Sequence, residues 1–486
     1  VVKLGRLLLP ALRWDAEHGF GKAMAEADRA IELGVGGFIL FGGDAEAVRD
    51  LTSRMHARSP HPLLIGSDLE RGAGQQFRGA TPLPPAAALG ALDEEDTVSR
   101  AAELTAREAR ALGVNWVYAP LADVDLEPDN PIIGTRSFGT DPARVASMVG
   151  AWVSGCTRGG ALSCAKHFPG HGRTVGDSHI ERPSVSVTAG DMEADLEPFR
   201  AAIAARVDAM MTAHVSYPGL DPSGAPATLS KPILDQLLRR DMGFEGMVVT
   251  DALIMEGFIE DLDEGAAAVM AMNAGCDVLL YPQDTAAVIT ALESALASGA
   301  LPERRVEEAL GRMSDAAERV AGPPEGEWGT DDDRRWALET AVRTMRVIRG
   351  NPSLPAGPVR MVEIEDDAGG PYPAYPRTAF PAALRRAGVE LNEQGSPLIV
   401  IYCDIRAWKG RPGLSPAARE RVAELMASSP EAPVILFSHP RLAAEIPAAR
   451  HLLAAWGGES LMQEAAVAWL TGATGGLPTA ASGLDR

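Results

Sequence analysis

The chain has 486 residues, 46% hydrophobic and 23% charged, which calls for more than one domain and for an ordinary globular composition. Its formal net charge of −21 argues against nucleic acid, whose phosphates need a basic face, and against an anionic membrane surface. No apolar run reaches transmembrane length, and the four cysteines, Cys156, Cys164, Cys276 and Cys403, have neither metal nor redox spacing.

From residue 1 to about 320, short apolar runs alternate with amphipathic stretches. The runs predict strands at 6–12, 37–41, 63–67, 114–119, 161–165, 209–213, 247–250 and 277–281, with helices at 93–112, 142–157, 231–240 and 284–296 among those between them. Eight such strands predict an α/β fold of the TIM-like (β/α)8 type, with an open doubly wound sheet as the alternative on pattern alone. The polar residues favour the barrel. Asp68, Lys166, His167, His214 and Asp251 fall at the carboxyl ends of four different strand runs, and in a barrel those ends converge on one mouth.

The run Ala321-Gly322-Pro323-Pro324-Glu325-Gly326 and the acidic Asp331-Asp332-Asp333 break the alternation and read as a linker, with a helix over 334–349 to follow. Beyond the Pro/Gly-rich 350–358, strands are predicted at 359–363, 397–403, 433–437 and 451–456. Helices are predicted at 416–427, with Ser415 as N-cap and Pro416 at the first position, and at 459–470. The expected organisation is a catalytic barrel over 1–320, a linker and connecting helix over 321–358, and a smaller open α/β sandwich over 359–486. No glycine-rich phosphate loop follows its strands, so nucleotide binding has no support. The chain opens at Val1 rather than methionine. A trimmed leader is therefore as compatible as none, and the compartment, cytoplasmic or exported, stays open. Oligomeric state also stays open.

The densest chemistry lies in Lys166-His167-Phe168-Pro169-Gly170-His171-Gly172, followed by Asp177-Ser178-His179, in a chain with five lysines and nine histidines. Asp177 and His179, at i and i+2 in an extended loop, point the same way. The carboxylate can orient the imidazole, whose other nitrogen gives and takes a proton as a general acid/base. Asp251 ends an apolar run and fits the nucleophile of a retaining glycosidase, with a helix cap or structural ion pair as the plainer alternative. Lys166, His167, Asp68 and Arg136 are candidates for sugar hydroxyls, with rim salt bridges as the alternative. Both Lys166 and His167 face the mouth only if the strand bends near Phe168-Pro169. His214 is given a secondary binding role beside its plainer reading as a core histidine. His167 and His171 have the i, i+4 spacing of a helical zinc site, but Pro169-Gly170 between them breaks a helix. No metal is assigned.

This block, with Pro183, Ile133-Gly134-Thr135-Arg136-Ser137-Phe138, Leu83-Pro84-Pro85-Ala86 and Asp251-Ala252-Leu253-Ile254-Met255-Glu256-Gly257, resembles the β-N-acetylglucosaminidase branch of glycoside hydrolase family 3, in order from about residue 3 to 320. Phe437-Ser438-His439-Pro440 and Gly457-Gly458-Glu459 are similar to the family's second α/β domain. The resemblance implies retaining hydrolysis of terminal non-reducing β-linked N-acetylglucosamine. Asp251 would be the nucleophile, His179 the acid/base, Asp177 its partner, and Asp68, Arg136, Lys166 and His167 the sugar contacts. It implies no cofactor, and a carbohydrate substrate such as a chitin oligosaccharide or peptidoglycan fragment. The chain departs from the branch after Asp68, where Ala73 and Gln76 stand at two positions the family fills with arginine; glucose or xylose specificity is the alternative there. A phosphorylase using the same dyad and a non-catalytic sugar-binding protein are the other hypotheses.

Overall fold

The computed structural model describes residues 4–176, 183–255, 263–367, 374–405 and 409–472. The chain divides into two compact units. One comprises 1–82, 93–127 and 137–330, the other 83–92, 128–136 and 331–486.

In the first unit, strands β2 (Ala11–Arg13), β3 (Gly37–Phe41), β4 (Leu64–Ser67), β5 (Trp116–Val117), β6 (Leu162–Phe168), β7 (Ala209–Thr212) and β8 (Met247–Val249) form one parallel sheet in chain order. Two short strands, β1 (Leu8–Leu9) and β9 (Leu279–Leu280), pair with each other in parallel. A bridge from Val249 to Val278 ties β8 to the segment entering β9, and Gly36 N donates to Leu8 O at 3.2 Å. The sheet thus curls back on itself as a TIM-like barrel. Its strands are buried on both faces, which is why they read as unbroken apolar runs rather than alternating ones. The interior is filled by side chains: Trp116 and Tyr118 meet edge to face at 5.0 Å, and a Cβ at Gly66 would collide with the Tyr118 hydroxyl.

The strand predicted over 6–12 is split. A 3-10 turn occupies Leu4–Leu7, and Pro10, which has no N–H for a ladder, separates β1 from β2. Helix Pro142–Arg158 begins as its sequence predicts, Asp141 accepting from Arg144 N with proline in the first turn.

At the amino-terminal side of the barrel the buried Asp277 meets three guanidinium groups: Arg239 at 2.7 Å, Arg312 at 2.9 Å, and Arg305. It also accepts from Val248 N at 2.9 Å. Removing this carboxylate takes the anion from partly buried Arg239 and Arg312 and leaves Arg305 with Glu308 alone. Asp277→Ala is expected to cost about 3–5 kcal/mol of stability, read by denaturant unfolding.

The second unit is a five-stranded sheet in the order β10-β14-β13-β12-β11. Strands β11 (Val359–Glu365), β12 (Ser396–Tyr402), β13 (Pro433–Phe437) and β14 (His451–Ala454) are parallel, and β10 (Arg346–Arg349) runs antiparallel to β14. Ser415 caps helix Pro416–Ser428 by accepting from Ala418 N. The helix expected over 334–349 differs in both ends. It spans Asp331–Arg343, so the acidic triplet read as linker is its first turn, where carboxylates suit the helix dipole. Residues 346–349 are strand. The Trp456 indole donates to Thr344 O at 2.7 Å, holding the chain at the point where it leaves the helix. Among the described residues, no helix is long and apolar enough to cross a membrane.

Candidate active site

The carboxyl ends of β4, β6, β7 and β8 carry the polar groups. Asp68 follows β4 directly, and Glu70 lies two residues on. Lys166, within β6, places Nζ 2.6 Å from Asp68 and 2.7 Å from Glu70. Lys166 is 2% exposed and Glu70 8%, whereas Asp68 keeps 30% of its side chain open. One buried ammonium thus offsets two carboxylates, and the more open of the two is the one at the mouth.

His167 turns toward a different anion. Its Nδ1 lies 2.8 Å from Asp123 Oδ2, its N–H donates to the same carboxylate, and His171 N adds a donor at 2.6 Å. Because a carboxylate only accepts, His167 Nδ1 carries the proton. The register of β6 against β7 shifts between Lys166 and Phe168, so strict alternation fails where Lys166 and His167 stand. His171 is buried with Nδ1 2.9 Å from the Thr174 hydroxyl. Burial, and secondarily His167, push its pKa down to about 4, which keeps the ring neutral near pH 7.

Asp251 lies two residues beyond β8, is part-exposed, and accepts from Ala252 N at 2.7 Å. His214, two residues beyond β7, is buried and has both ring nitrogens engaged, Nδ1 with Thr228 Oγ1 at 2.7 Å and Nε2 with Ala252 O at 3.1 Å. Both nitrogens therefore have protein partners, the arrangement its plainer reading as a core histidine expects. Arg136 closes a 3-10 turn, Gly134–Arg136, on the segment 128–136 of the second unit, and donates to Ile132 O at 3.3 Å.

Asp177 and His179 lie outside the described residues. The flanks of their segment are anchored. Tyr217 donates to Gly170 O at 2.8 Å, Ser216 N donates to Pro183 O at 3.0 Å, and Arg173 pairs with Asp195 at 2.8 Å. Asp195 is buried, and its Oδ1 meets no donor. Burial raises its pKa to about 6 against the pull of Arg173. The fold therefore keeps a proton that the unfolded chain has already released, and the stability this confers is lost as pH rises from the ordinary carboxylate value to about 6. Asp195→Asn does not titrate, so its melting temperature relative to the parent should climb between about pH 4 and pH 7. A difference that stays constant over that range would refute the assignment.

Sequence reasoning missed Asp123 and Glu70. Both carried the signal used for the others, a carboxylate a few residues past a strand run. Gln76, where the family resemblance expects arginine, spends its Oε1 accepting from Gly42 N at 3.1 Å, and Ala73 is fully buried.

A parallel barrel whose carboxyl-end mouth gathers carboxylates, a buried lysine and oriented histidines defines a barrel enzyme with its polar chemistry in the strand-end loops. Residues 2–316 match the model of the glycosyl hydrolase family 3 N terminal domain, and the chain belongs to glycosyl hydrolase family 3. It is 42% identical over 260 residues to a beta-hexosaminidase of Thiobacillus denitrificans, covering 51% of this chain and 71% of that protein. It is 34% identical over 291 residues to a beta-N-acetylglucosaminidase/beta-glucosidase of Cellulomonas fimi, covering 58% of this chain but only 52% of that longer relative. Across 97% of its length it superposes, with a TM-score of 0.85 and 29% identity, on 96% of a family 3 beta-N-acetylglucosaminidase structure from Paenibacillus sp. str. FPU-7.

Proposed function

We propose that this protein is a retaining exo-β-N-acetylglucosaminidase that removes terminal non-reducing β-linked N-acetylglucosamine through a covalent glycosyl-aspartate. The observation that carries the reading is Asp251: a part-exposed carboxylate at the end of a barrel strand, with one oxygen held by a backbone N–H. In this mechanism Asp251 attacks the anomeric carbon while His179, oriented by Asp177, gives its proton to the leaving oxygen. The glycosyl ester is then hydrolysed by water that His179 deprotonates. Asp68 accepts from sugar hydroxyls, and Lys166 holds Asp68 in place while offering its own protons. His167, its Nδ1 proton on Asp123, presents its other nitrogen to the ring. Arg136 is proposed as a donor to a sugar oxygen. The beta-hexosaminidase and beta-N-acetylglucosaminidase relatives support the choice of sugar. The lack of cationic side chains at Ala73 and Gln76 is the reason to test that choice directly.

A panel of aryl β-glycosides, with and without phosphate, tests the proposal. The N-acetylglucosaminide should turn over fastest and phosphate should leave the rate unchanged. Preference for the glucoside or xyloside would move the specificity. Acceleration by phosphate with release of a sugar 1-phosphate would make the protein a phosphorylase, a reaction the same dyad supports because a neutral histidine does not repel an incoming anion.

A further inference from the structure

We infer that His214 is a positioning residue for the Asp251 carboxylate, acting through the backbone of Ala252; the inference rests on the proposed role of Asp251 as nucleophile. Ala252 connects the two side chains. Its N–H donates to Asp251 Oδ1 at 2.7 Å, and its carbonyl accepts from His214 Nε2 at 3.1 Å. That carbonyl also accepts from Met255 N at 3.1 Å, which closes a turn and uses the second lone pair. The N–H of the same peptide unit, that of Leu253, donates to Leu280 O at 2.9 Å. One peptide plane is therefore clamped from both neighbours of β8: by a side chain from the end of β7 and by the backbone of β9. The next hydrogen bond along the chain is the one that holds the carboxylate. A shift of this plane rotates the Ala252 N–H and moves Asp251 with it.

His214 is itself fixed. A carbonyl only accepts, so Nε2 keeps its proton. Nδ1 lies 2.7 Å from Thr228 Oγ1, which in turn lies 2.8 Å from Thr212 Oγ1 and 3.2 Å from Ala213 O. When the ring is neutral, Thr228 donates to Nδ1 and receives from Thr212. When it is charged, Nδ1 donates to Thr228 and Thr228 donates to Ala213 O. In both states the Nε2–H bond to Ala252 persists. The arrangement gives both ring nitrogens of this strand-end histidine a protein partner.

Two variants separate this role from simple packing. Gln reaches the place of Nε2 and can donate to Ala252 O. Asn stops at the place of Nδ1, where it meets Thr228 but not Ala252. Each buries one neutral amide, so the comparison reads the Ala252 bond. The measurements are kcat/KM on a dinitrophenyl β-N-acetylglucosaminide, affinity for free N-acetylglucosamine, the melting temperature, and peptide mass after inactivation by an activated fluoro-sugar. His214→Asn is expected to lose about 10²-fold in kcat/KM with sugar affinity unchanged, and His214→Gln to stay within about tenfold of the parent. Equal rates in the two variants, or a rate loss matched by loss of sugar affinity or of melting temperature, overturn the inference. The fluoro-sugar keeps the two levels apart. A label on Asp251 in the parent with equal variants removes only the role of His214, whereas a label on another residue removes the nucleophile assignment and this inference with it.

Discussion

Asp251→Asn is expected to abolish turnover of every glycoside the parent accepts, by about 10⁴-fold or more, while sugar affinity changes little. The amide keeps the size of the side chain, and its oxygen still accepts from Ala252 N, so the turn beyond β8 keeps its shape. What disappears is the negative charge that, in the proposed mechanism, attacks the anomeric carbon and faces the oxocarbenium-like transition state. The loss should be independent of the leaving group, because no leaving group is good enough to make an amide a nucleophile. Asp251→Gly extends the test: added azide should enter from the vacated face and give the α-glycosyl azide, of inverted configuration. Residual activity that tracks leaving-group acidity, or a β-azide, would assign the nucleophile elsewhere.

The barrel was legible because its strands are buried on both faces. All eight apolar runs mark strand positions; Asp68 and Asp251 sit just past two of them, whereas Lys166 and His167 stand buried within β6. Boundaries were less legible where a single residue decides them. Pro10 splits the first run. The triplet Asp331-Asp332-Asp333 looks like a solvated linker but suits the positive end of a helix. The strand Arg346–Arg349 was hidden because its pairing with β14 lies about a hundred residues away in the chain.

Within the site, Asp68, Lys166 and Asp251 were singled out from strand-end position together with the motif at 166–179 and the family resemblance. Glu70 and Asp123 were not, because a carboxylate in a loop is ordinary until a partner is known. Glu70 becomes notable only through the Lys166 ammonium, and Asp123 only through three donors from the 167–171 turn. His214 was read between a secondary binding role and a core histidine, because the hydroxyl and carbonyl that engage its nitrogens are 14 and 38 residues distant in sequence. Spacing patterns report local geometry well and long-range hydrogen bonding hardly at all.

His179→Ala is expected to divide substrates by leaving group. An aryl oxygen of low basicity departs without a proton, so formation of the glycosyl-aspartate from a dinitrophenyl glycoside should be nearly unaffected. A sugar or alkyl leaving group needs the proton, and its kcat/KM should fall by about 10²- to 10⁴-fold. Deglycosylation also loses its base, so on the activated substrate the intermediate should accumulate as a burst, with a low steady rate after it. Azide, an anion that needs no base, should restore that steady rate and give the β-glycosyl azide, because it attacks the ester from the face His179 vacated. The pair of variants thus predicts azides of opposite configuration from the two sides of one sugar, which a dyad acting only as a structural prop would not produce. Equal losses on activated and unactivated substrates would remove His179 as the acid. Asp177→Asn should behave as a weaker His179→Ala, since the imidazole remains but loses the carboxylate that orients it and stabilises its charged form.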